Sequence, residues 1–227
     1  MTAPPDDSLL QRLIRETGEA WPAYVDHRFV RELAAGTLPA ASFRHYLMQD
    51  YVFLLHFSRA WALAVYKAES LADMRAAAQV LYGLLDHEMG LHVQYCSEWG
   101  IDQQSLEATE EAAGNMAYTR YVLERGVAGD LLDLLVALAP CVCGYAEIGR
   151  THITAADTVL EGNPYRPWLE LYAGDEFQQL ASSVEAQMDR LAAERATEQR
   201  FASLARTFGQ ATRLEIGFWD MGLAGTA

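Results

Sequence analysis

The sequence has few cysteines and none of the short motifs that mark the commonest cofactor sites. Its 227 residues include three cysteines, Cys96, Cys141 and Cys143, an odd number without framework spacing. A disulfide framework is therefore not indicated, and reduced thiols in a cytoplasm are expected. The chain also lacks a glycine-rich phosphate loop, a CxxC pair and an HExxH segment, so no nucleotide fold, redox dithiol or zinc protease is indicated.

Basic residues are scarce. Lys and Arg number 17 against 31 Asp and Glu, which gives a formal net charge of −14. Such a chain repels phosphate groups, and no cluster of Lys and Arg compensates, so neither nucleic acid nor an anionic membrane is an expected partner. A neutral or cationic small molecule is compatible with this charge.

Signals for secretion and for membrane insertion are also missing. The chain begins MTAPPDDSLL, without a positive segment followed by an apolar core, so no secretory signal is expected there. The longest apolar run, residues 131–149, is interrupted by Pro140 and Gly144 and carries Asp133 and Glu147. We expect this run to be a buried helix, and not a membrane span.

The residues that are abundant favour helix nearly throughout. Ala, Leu, Glu, Gln and Arg dominate, and no alternating strand pattern or repeat occurs. The pattern predicts one all-α domain over residues 1–227, a bundle of mostly long helices. The first helix has Asp6, Asp7 and Ser8 as cap candidates. The predicted helices cover residues 8–17, 21–36, 39–68, 72–99, 105–126, 130–160, 165–172, 177–193 and 197–221.

The apolar run contains the first candidate for chemistry. Pro140 has no backbone N–H and should bend the helix directly before Cys141. Tyr145 lies four residues after Cys141 and therefore on the same helix face. A thiol beside a phenol suggests a nucleophile, although ordinary core packing remains open from these residues alone. Cys143 points away from that face and is interpreted as packing.

Two carboxylates stand among aromatic residues. Asp50 lies in QDYVFLLHF and shares its helix face with apolar neighbours, so it must find hydrogen-bond donors or stay neutral. Glu215 precedes Phe218 and Trp219 by three and four residues, and a buried Glu in that position can exchange protons near neutral pH. An exposed Glu215 beside Arg213 is the alternative.

Glu88 and His92 are spaced as a possible pair of metal ligands on one helix face. A di-iron bundle needs matching Glu-x-x-His pairs on other helices, and none is found in the sequence. We therefore expect Glu88 and His92 to bond each other or a neighbouring helix, and we predict no metal site.

The chain resembles the TenA family of thiaminase II enzymes, cysteine-containing branch, which have the haem-oxygenase-like helical fold. The similarity runs in order along nearly the whole chain, although no single motif is decisive. Six segments carry it: FVRELAAGTLPAASFRHYLMQDYVFL, LLDHEMGLH, NMAYTRYVL, ALAPCVCGYAEIG, NPYRPWLELYAGDEF and EIGFWDM.

The resemblance implies a role for each candidate. Cys141 would be the catalytic cysteine, Asp50 would bind the amino groups of a pyrimidine, and Glu215 would contact the ring-nitrogen side and shuttle protons. Position 53 is a tyrosine in some relatives, and the phenylalanine here lacks that hydroxyl. The implied aromatic pocket residues are Phe53, Tyr118, Tyr145, Tyr172 and Phe218.

The implied activity is hydrolysis of 4-amino-5-aminomethyl-2-methylpyrimidine to the hydroxymethyl pyrimidine and ammonia, with thiamin as a possible second substrate. It needs no metal or organic cofactor, and the family forms homo-tetramers. Two alternatives from other classes are a di-iron oxidase on the same fold, using Glu88 and His92, and a non-catalytic pyrimidine-binding regulator.

Overall fold

The computed structural model describes residues 8–225, and these form helices without any strand. Asp6 and Asp7, two of the three cap candidates, lie outside the described residues. Ser8 caps the first helix, since its hydroxyl accepts a hydrogen bond from the Gln11 backbone at 3.2 Å. The α-helices are α1 Leu9–Thr17, α2 Ala20–Val25, α3 Arg28–Ala34, α4 Ala40–Lys67, α5 Leu71–Tyr82, α6 Met89–Glu98, α7 Gln103–Glu107, α8 Ala113–Ala128, α9 Leu131–Ala139, α10 Tyr145–His152, α11 Arg166–Ala173, α12 Asp175–Arg195 and α13 Glu198–Ala224.

Two π-helical turns connect consecutive helices. Gly83–Glu88 joins α5 to α6, and Pro140–Gly144 joins α9 to α10. The all-α prediction is confirmed. The long helices predicted at residues 39–68 and 72–99 correspond to α4 and to the α5–α6 segment, and the last predicted helix corresponds to α13.

The residues group into two compact units, Met1–Leu38 with Leu135–Ile216 (unit 1) and Pro39–Leu134 with Gly217–Ala227 (unit 2). In unit 2, the long helix α4 is central, and α5, α6 and α8 pack against it. In unit 1, α10 packs against α11 and also meets α2, α3 and α12. The single domain over residues 1–227 stays a prediction.

Two predicted helices are each broken once. The helix predicted at residues 21–36 is wrong as one element, because His27 adopts an extended conformation and its Nδ1 accepts a hydrogen bond from the Phe29 backbone, which starts α3. The helix predicted at residues 105–126 ends at Glu107 and restarts at Ala113. Gln49 supplies hydrogen-bond partners to the backbone at that break. Its side-chain nitrogen donates to the Glu110 carbonyl, and its side-chain oxygen accepts from the Ala112 N–H, both at 2.9 Å.

The prediction that the central helix continues to residue 160 is also wrong. The helix ends at His152, whose carbonyl accepts hydrogen bonds from the Ala155 N–H and the Thr158 hydroxyl. These local donors replace the next helical turn, as hydroxyl side chains commonly do at helix ends. The segment Leu131–His152 is long and apolar enough to cross a membrane by composition, but 83% of its most apolar window is buried inside the protein. The expectation of a buried helix is confirmed.

Helices α10 and α11 approach each other closely at Gly149. A Cβ atom on Gly149 would lie 2.4 Å from the carbonyl carbon of Tyr172 and 2.6 Å from the Ala173 nitrogen. Those are backbone atoms, so no rotamer change can relieve the clash. Gly149 thereby sets the distance between two helices that carry candidate tyrosines.

We therefore predict that Gly149→Ala lowers the free energy of unfolding by roughly 1–3 kcal/mol through overpacking. Urea unfolding followed by circular dichroism measures the change. Gly90→Ala is the matched control, because Gly90 is exposed in α6 and a Cβ there meets nothing within 4 Å. The control should be neutral or stabilising by up to about 1 kcal/mol. Equal stabilities of Gly149→Ala and wild type would contradict the prediction.

Candidate active-site residues

Three of the aromatic candidates form one cluster in unit 2. The ring of Phe53, on α4, stacks on Tyr118 of α8 with centroids 5.4 Å apart and planes at 26°. Phe53 also meets the ring of Phe218 edge-on at 5.4 Å. All three side chains are buried. Aromatic faces of this kind suit a flat heteroaromatic ligand.

A buried amide network fixes the position of Tyr118 relative to Phe53. The Asn115 amide donates to the Gln49 carbonyl at 2.7 Å and to its side-chain oxygen at 3.2 Å. Gln49 lies one turn before Phe53 on α4, and Asn115 lies one turn before Tyr118 on α8. The same side chain of Gln49 also binds the loop that precedes α8. The network therefore sets the register of α8 on α4.

Asp50 lies on α4 between the amide network and the aromatic cluster, and only 6% of the residue is exposed. Burial raises the pKa of Asp50 to about 7, and a hydrogen bond with the Tyr46 side chain opposes part of this rise. The sequence predicted that this carboxylate must find a donor or stay neutral. Both responses occur together, because one tyrosine donor only partly replaces the water that burial removes.

His92 is the second polar neighbour of Asp50. Its Nε2 is 2.8 Å from the Leu47 carbonyl oxygen, and its Nδ1 is 3.6 Å from Asp50 Oδ2. A carbonyl oxygen can only accept, so Nε2 carries the hydrogen, and in the neutral imidazole Nδ1 presents a lone pair to Asp50. Burial lowers the pKa of His92, an effect that the bond to Leu47 opposes. A neutral His92 facing a protonated Asp50 satisfies this arrangement.

Glu88 completes a group of three titratable side chains. Burial, and then the charge of Asp50, raises the pKa of Glu88 to about 8. Two carboxyls and an imidazole thus share a desolvated region that disfavours charge on each of them. The expectation that His92 bonds a neighbouring helix is confirmed, since Leu47 lies on α4. Among residues 8–225, with the side chain of His87 left aside, no group of three or more His, Cys, Asp or Glu side chains could hold a metal ion.

The sequence analysis did not identify Tyr46 as the donor to Asp50, and it did not predict that His92 would lie beside Asp50. The signal for Tyr46 was available, because it precedes Asp50 by four residues and therefore faces the same way on a helix. The contact of His92 with α4 had no local signal, because it joins residues that are 45 positions apart.

The cysteine candidate lies in unit 1, within the π-helical turn after α9. Cys141 is partly exposed, whereas Cys96 and Cys143 are buried. Burial raises the pKa of both buried thiols to about 12. The prediction that Cys143 serves packing agrees with this burial. Of the three cysteines, Cys141 is the one that is not buried.

Tyr145 begins α10 one turn after Cys141, and its backbone N–H donates to the Cys141 carbonyl. The ring of Tyr145 meets that of Tyr172 at 4.8 Å in an edge-to-face arrangement. The Gln178 side-chain amide donates to the Ala146 carbonyl at 2.8 Å and to the Tyr172 carbonyl at 2.7 Å. It thus holds α12 against the backbone beside both tyrosines.

Glu215 is 1% exposed, so its expected burial is confirmed and the exposed alternative is wrong. It precedes Phe218 by three residues on α13, and the two side chains therefore share a helix face. The functional roles of Cys141, Glu215 and Asp50 stay predictions.

The fold has known counterparts. A domain of unknown function from Shewanella denitrificans OS217, described as having a heme oxygenase-like fold, matches with a TM-score of 0.71 at 15% identity, over 93% of this chain and 90% of that chain. The chain is thus an all-α protein of the haem-oxygenase-like fold, as the sequence predicted.

Residues 15–225 match the model of the TENA/THI-4/PQQC family, and the chain belongs to this family. An aminopyrimidine aminohydrolase of Halalkalibacterium halodurans is 35% identical over 221 residues, 94% of this chain and 95% of that protein. A structure from Silicibacter sp. TM1040, described as a TenA family transcription regulator, matches with a TM-score of 0.91 and 47% identity, covering 96% of this chain and 98% of that chain. The predicted family is confirmed.

The pKa of Asp50 generates a test of its environment. Because the pKa is raised from 3.8 to about 7, the folded state binds this proton more tightly than the unfolded chain does. The resulting stabilisation is greatest below about pH 4 and is lost as the pH rises through 7. Asp50→Asn removes this dependence, so the stability of the variant should increase relative to wild type between pH 5 and pH 8. Thermal unfolding at both pH values measures the difference.

Asp102→Asn is the control. Asp102 caps α7, and its hydrogen bonds with Ser105 lower its pKa, so it stays ionised from pH 5 to pH 8 in both states. The difference in stability between Asp102→Asn and wild type should be the same at pH 5 and at pH 8. A pH-independent difference for Asp50→Asn as well would show that Asp50 is not desolvated.

Proposed function

We propose that the chain hydrolyses aminopyrimidines in thiamin salvage. Its substrate would be 4-amino-5-aminomethyl-2-methylpyrimidine, and the products would be the hydroxymethyl pyrimidine and ammonia. The observation that carries the proposal is the placement of Cys141, the one partly exposed thiol, in the π-helical turn of an otherwise buried helix. The Halalkalibacterium halodurans relative named as an aminopyrimidine aminohydrolase, similar over nearly its full length, supports the same activity.

The reaction proceeds by covalent catalysis. The Cys141 thiolate forms a C–S bond to a ring carbon while Glu215 holds or protonates a ring nitrogen, which makes the ring electrophilic. The displaced electrons break the bond between the exocyclic methylene carbon and the amine nitrogen, and the amine takes up one proton and leaves as ammonia; the water of the next step gives up the equivalent proton. The oxygen of a water molecule then bonds to that methylene carbon and the water loses a proton. Finally the C–S bond breaks, the aromatic ring is restored, and the thiolate is regenerated.

The remaining candidates bind the substrate. Asp50 interacts with the amino edge of the pyrimidine, and Phe53, Tyr118 and Phe218 provide aromatic faces for the ring. Tyr145 and Tyr172 contribute phenol groups, and the Tyr145 phenol, one helical turn after Cys141, bonds the thiolate or a water molecule. This assignment needs no metal or organic cofactor. We also propose thiamin as a second substrate and the cytoplasm as the location.

The alternatives have less support. A di-iron oxidase would use Glu88 and His92, but these side chains lie with Asp50 and the Leu47 carbonyl, in a group without a complete ligand set. The Silicibacter structure is described as a transcription regulator. For this chain, a net charge of −14 opposes direct contact with DNA. A regulator that binds the pyrimidine without turnover would release no ammonia, so an assay of ammonia release distinguishes it from the hydrolase.

Replacing the nucleophile tests the mechanism. We predict that Cys141→Ser lowers kcat for ammonia release by about two orders of magnitude or more, while substrate binding by calorimetry stays nearly unchanged, because only the covalent step is lost. Cys143→Ala is the matched control on the same π-helical turn and should keep most of the turnover. Near-normal kcat in Cys141→Ser would exclude the nucleophile role, and no ammonia from the wild type would exclude the activity.

We propose further that the protein is a homo-tetramer. One face of the α5–α6 segment exposes four large apolar side chains, at 40–62% of their surface. Their spacing of three, eight and three residues keeps them close to one helix face. Such a stripe is costly to leave in water and supports self-association. The residues of this apolar stripe are Leu71, Met74, Tyr82 and Leu85.

The stripe predicts how assembly can be disrupted. The double variant Leu71→Asp/Leu85→Asp should reduce the mass measured by light scattering from four chains to fewer, because each change buries a charge at the interface. Val127→Asp, at an exposed position of α8 outside the stripe, should leave the mass unchanged. A monomeric wild type would contradict the tetramer, and an unchanged mass in the double variant would exclude this stripe as an interface.

A further inference from the structure

The peptide that precedes Cys141 is held by a side chain from another helix. The Tyr24 hydroxyl, on α2, donates to the Pro140 carbonyl oxygen at 3.0 Å. This carbonyl belongs to the peptide bond that joins Pro140 to Cys141. Its orientation therefore determines where the Cys141 backbone, and with it the thiol, is placed.

The bond is made in a dry environment. Tyr24 is 0% exposed, and Pro140 is buried as well. Water cannot replace the hydroxyl as a donor there, so loss of the bond leaves the carbonyl without that partner. A fixed hydrogen bond in such surroundings limits the rotation of the peptide more than a solvent-exposed one would.

Gly144 makes the approach of Tyr24 possible. A Cβ atom on Gly144 would lie 2.2 Å from Cε1 of the Tyr24 ring and 2.7 Å from its hydroxyl oxygen. The ring therefore occupies the space in which any other residue would carry its side chain. Tyr24 contacts the π-helical turn at both ends, by a hydrogen bond at Pro140 and by close packing at Gly144.

A neighbouring contact holds α2 in place. Trp21 lies one turn before Tyr24, and its indole N–H donates to Glu147 of α10 at 3.1 Å. The Trp21 and Tyr24 rings meet edge-to-face at 5.7 Å. Helix α2 is thus attached to the segment on both sides of Cys141, which makes it a rigid support for the Tyr24 hydroxyl.

We propose that Tyr24 is a positioning residue for Cys141, with Gly144 supplying the space that its ring requires. Tyr24 takes no part in the chemistry. It fixes the π-helical turn so that the thiol meets the substrate in a reactive geometry. The proposal rests on the proposed function for its kinetic consequence, but its structural consequence can be measured without turnover.

Tyr24→Phe is the main variant, since it keeps the ring and removes only the hydroxyl. A misplaced nucleophile affects the chemical step, so kcat for ammonia release should fall roughly 10- to 100-fold while KM stays within about twofold. Tyr165→Phe is the matched control. Tyr165 is a buried tyrosine of unit 1 whose hydroxyl also donates to a backbone carbonyl, that of Leu38. The control should keep kcat within about twofold of wild type.

Two results would overturn the proposal. One is a kcat within twofold of wild type in Tyr24→Phe. The other is an equal loss of kcat in Tyr165→Phe, which would mean that any buried tyrosine hydroxyl serves stability in the same way. Thermal unfolding of both variants shows whether each is folded at the assay temperature.

Gly144→Ala is a second test variant, which disturbs the contact of Tyr24 with the turn but keeps the Tyr24 hydroxyl. Its Cβ displaces the Tyr24 ring, so the same loss of kcat is expected, and Tyr24→Phe/Gly144→Ala should lose no more than Gly144→Ala alone. Losses that multiply would mean that the two residues act independently and would overturn the proposal.

Alkylation by iodoacetamide separates this proposal from the proposed function. Peptide mass spectrometry follows Cys141, with the buried Cys96 and Cys143 as unreactive internal references. We expect the alkylation rate of Cys141 to differ from wild type by at least about threefold in Tyr24→Phe and to be unchanged in Tyr165→Phe. If the wild type releases no ammonia, the proposed function fails and this rate alone decides: equal rates in Tyr24→Phe and wild type would overturn the positioning role.

Discussion

Pro140 leaves the most apolar helix of the chain without a backbone donor at its middle. An α-helix at this point would need an N–H from residue 140 to satisfy the carbonyl one turn earlier. The chain responds with a π-helical turn, in which hydrogen bonds span five residues instead of four. The widened turn presents Cys141 partly exposed, and the Pro140 carbonyl within it accepts the Tyr24 hydroxyl.

In unit 2, the comparable constraint is the burial of three titratable groups with few charges to balance them. Asp50, Glu88 and His92 all have pKa values displaced toward the neutral form. A carboxyl that is neutral near pH 7 can donate as well as accept, whereas a carboxylate can only accept. An aminopyrimidine presents a donor and an acceptor side by side along one edge, so the neutral carboxyl can match that edge, and the carboxylate can match it once the ring nitrogen carries a proton.

Much of the fold and many candidate residues could be predicted because their signals are local. Helical periodicity predicted α4 and α13. The aromatic residues beside Asp50 and Glu215 indicated that these two carboxyl side chains are buried. The breaks beside α3 and α8 had weaker signals, since they depend on His27 and on Gln49, whose partners are set by tertiary contact. Tyr24 was beyond reach for the same reason, because 116 positions separate it from Pro140. The family resemblance supplied residue roles that spacing did not.

The two tight glycines of the candidate region differ in how the chain could change around them during evolution. At Gly149 the obstacle is the backbone of Tyr172 and Ala173, which no substitution elsewhere can make smaller. At Gly144 the obstacle is the side chain of Tyr24, which can be replaced by a smaller residue. Position 149 is therefore restricted to glycine whatever residues stand elsewhere. At position 144, by contrast, the residue that fits depends on the residue at position 24. In an alignment of relatives, position 149 should vary little, and positions 24 and 144 should co-vary.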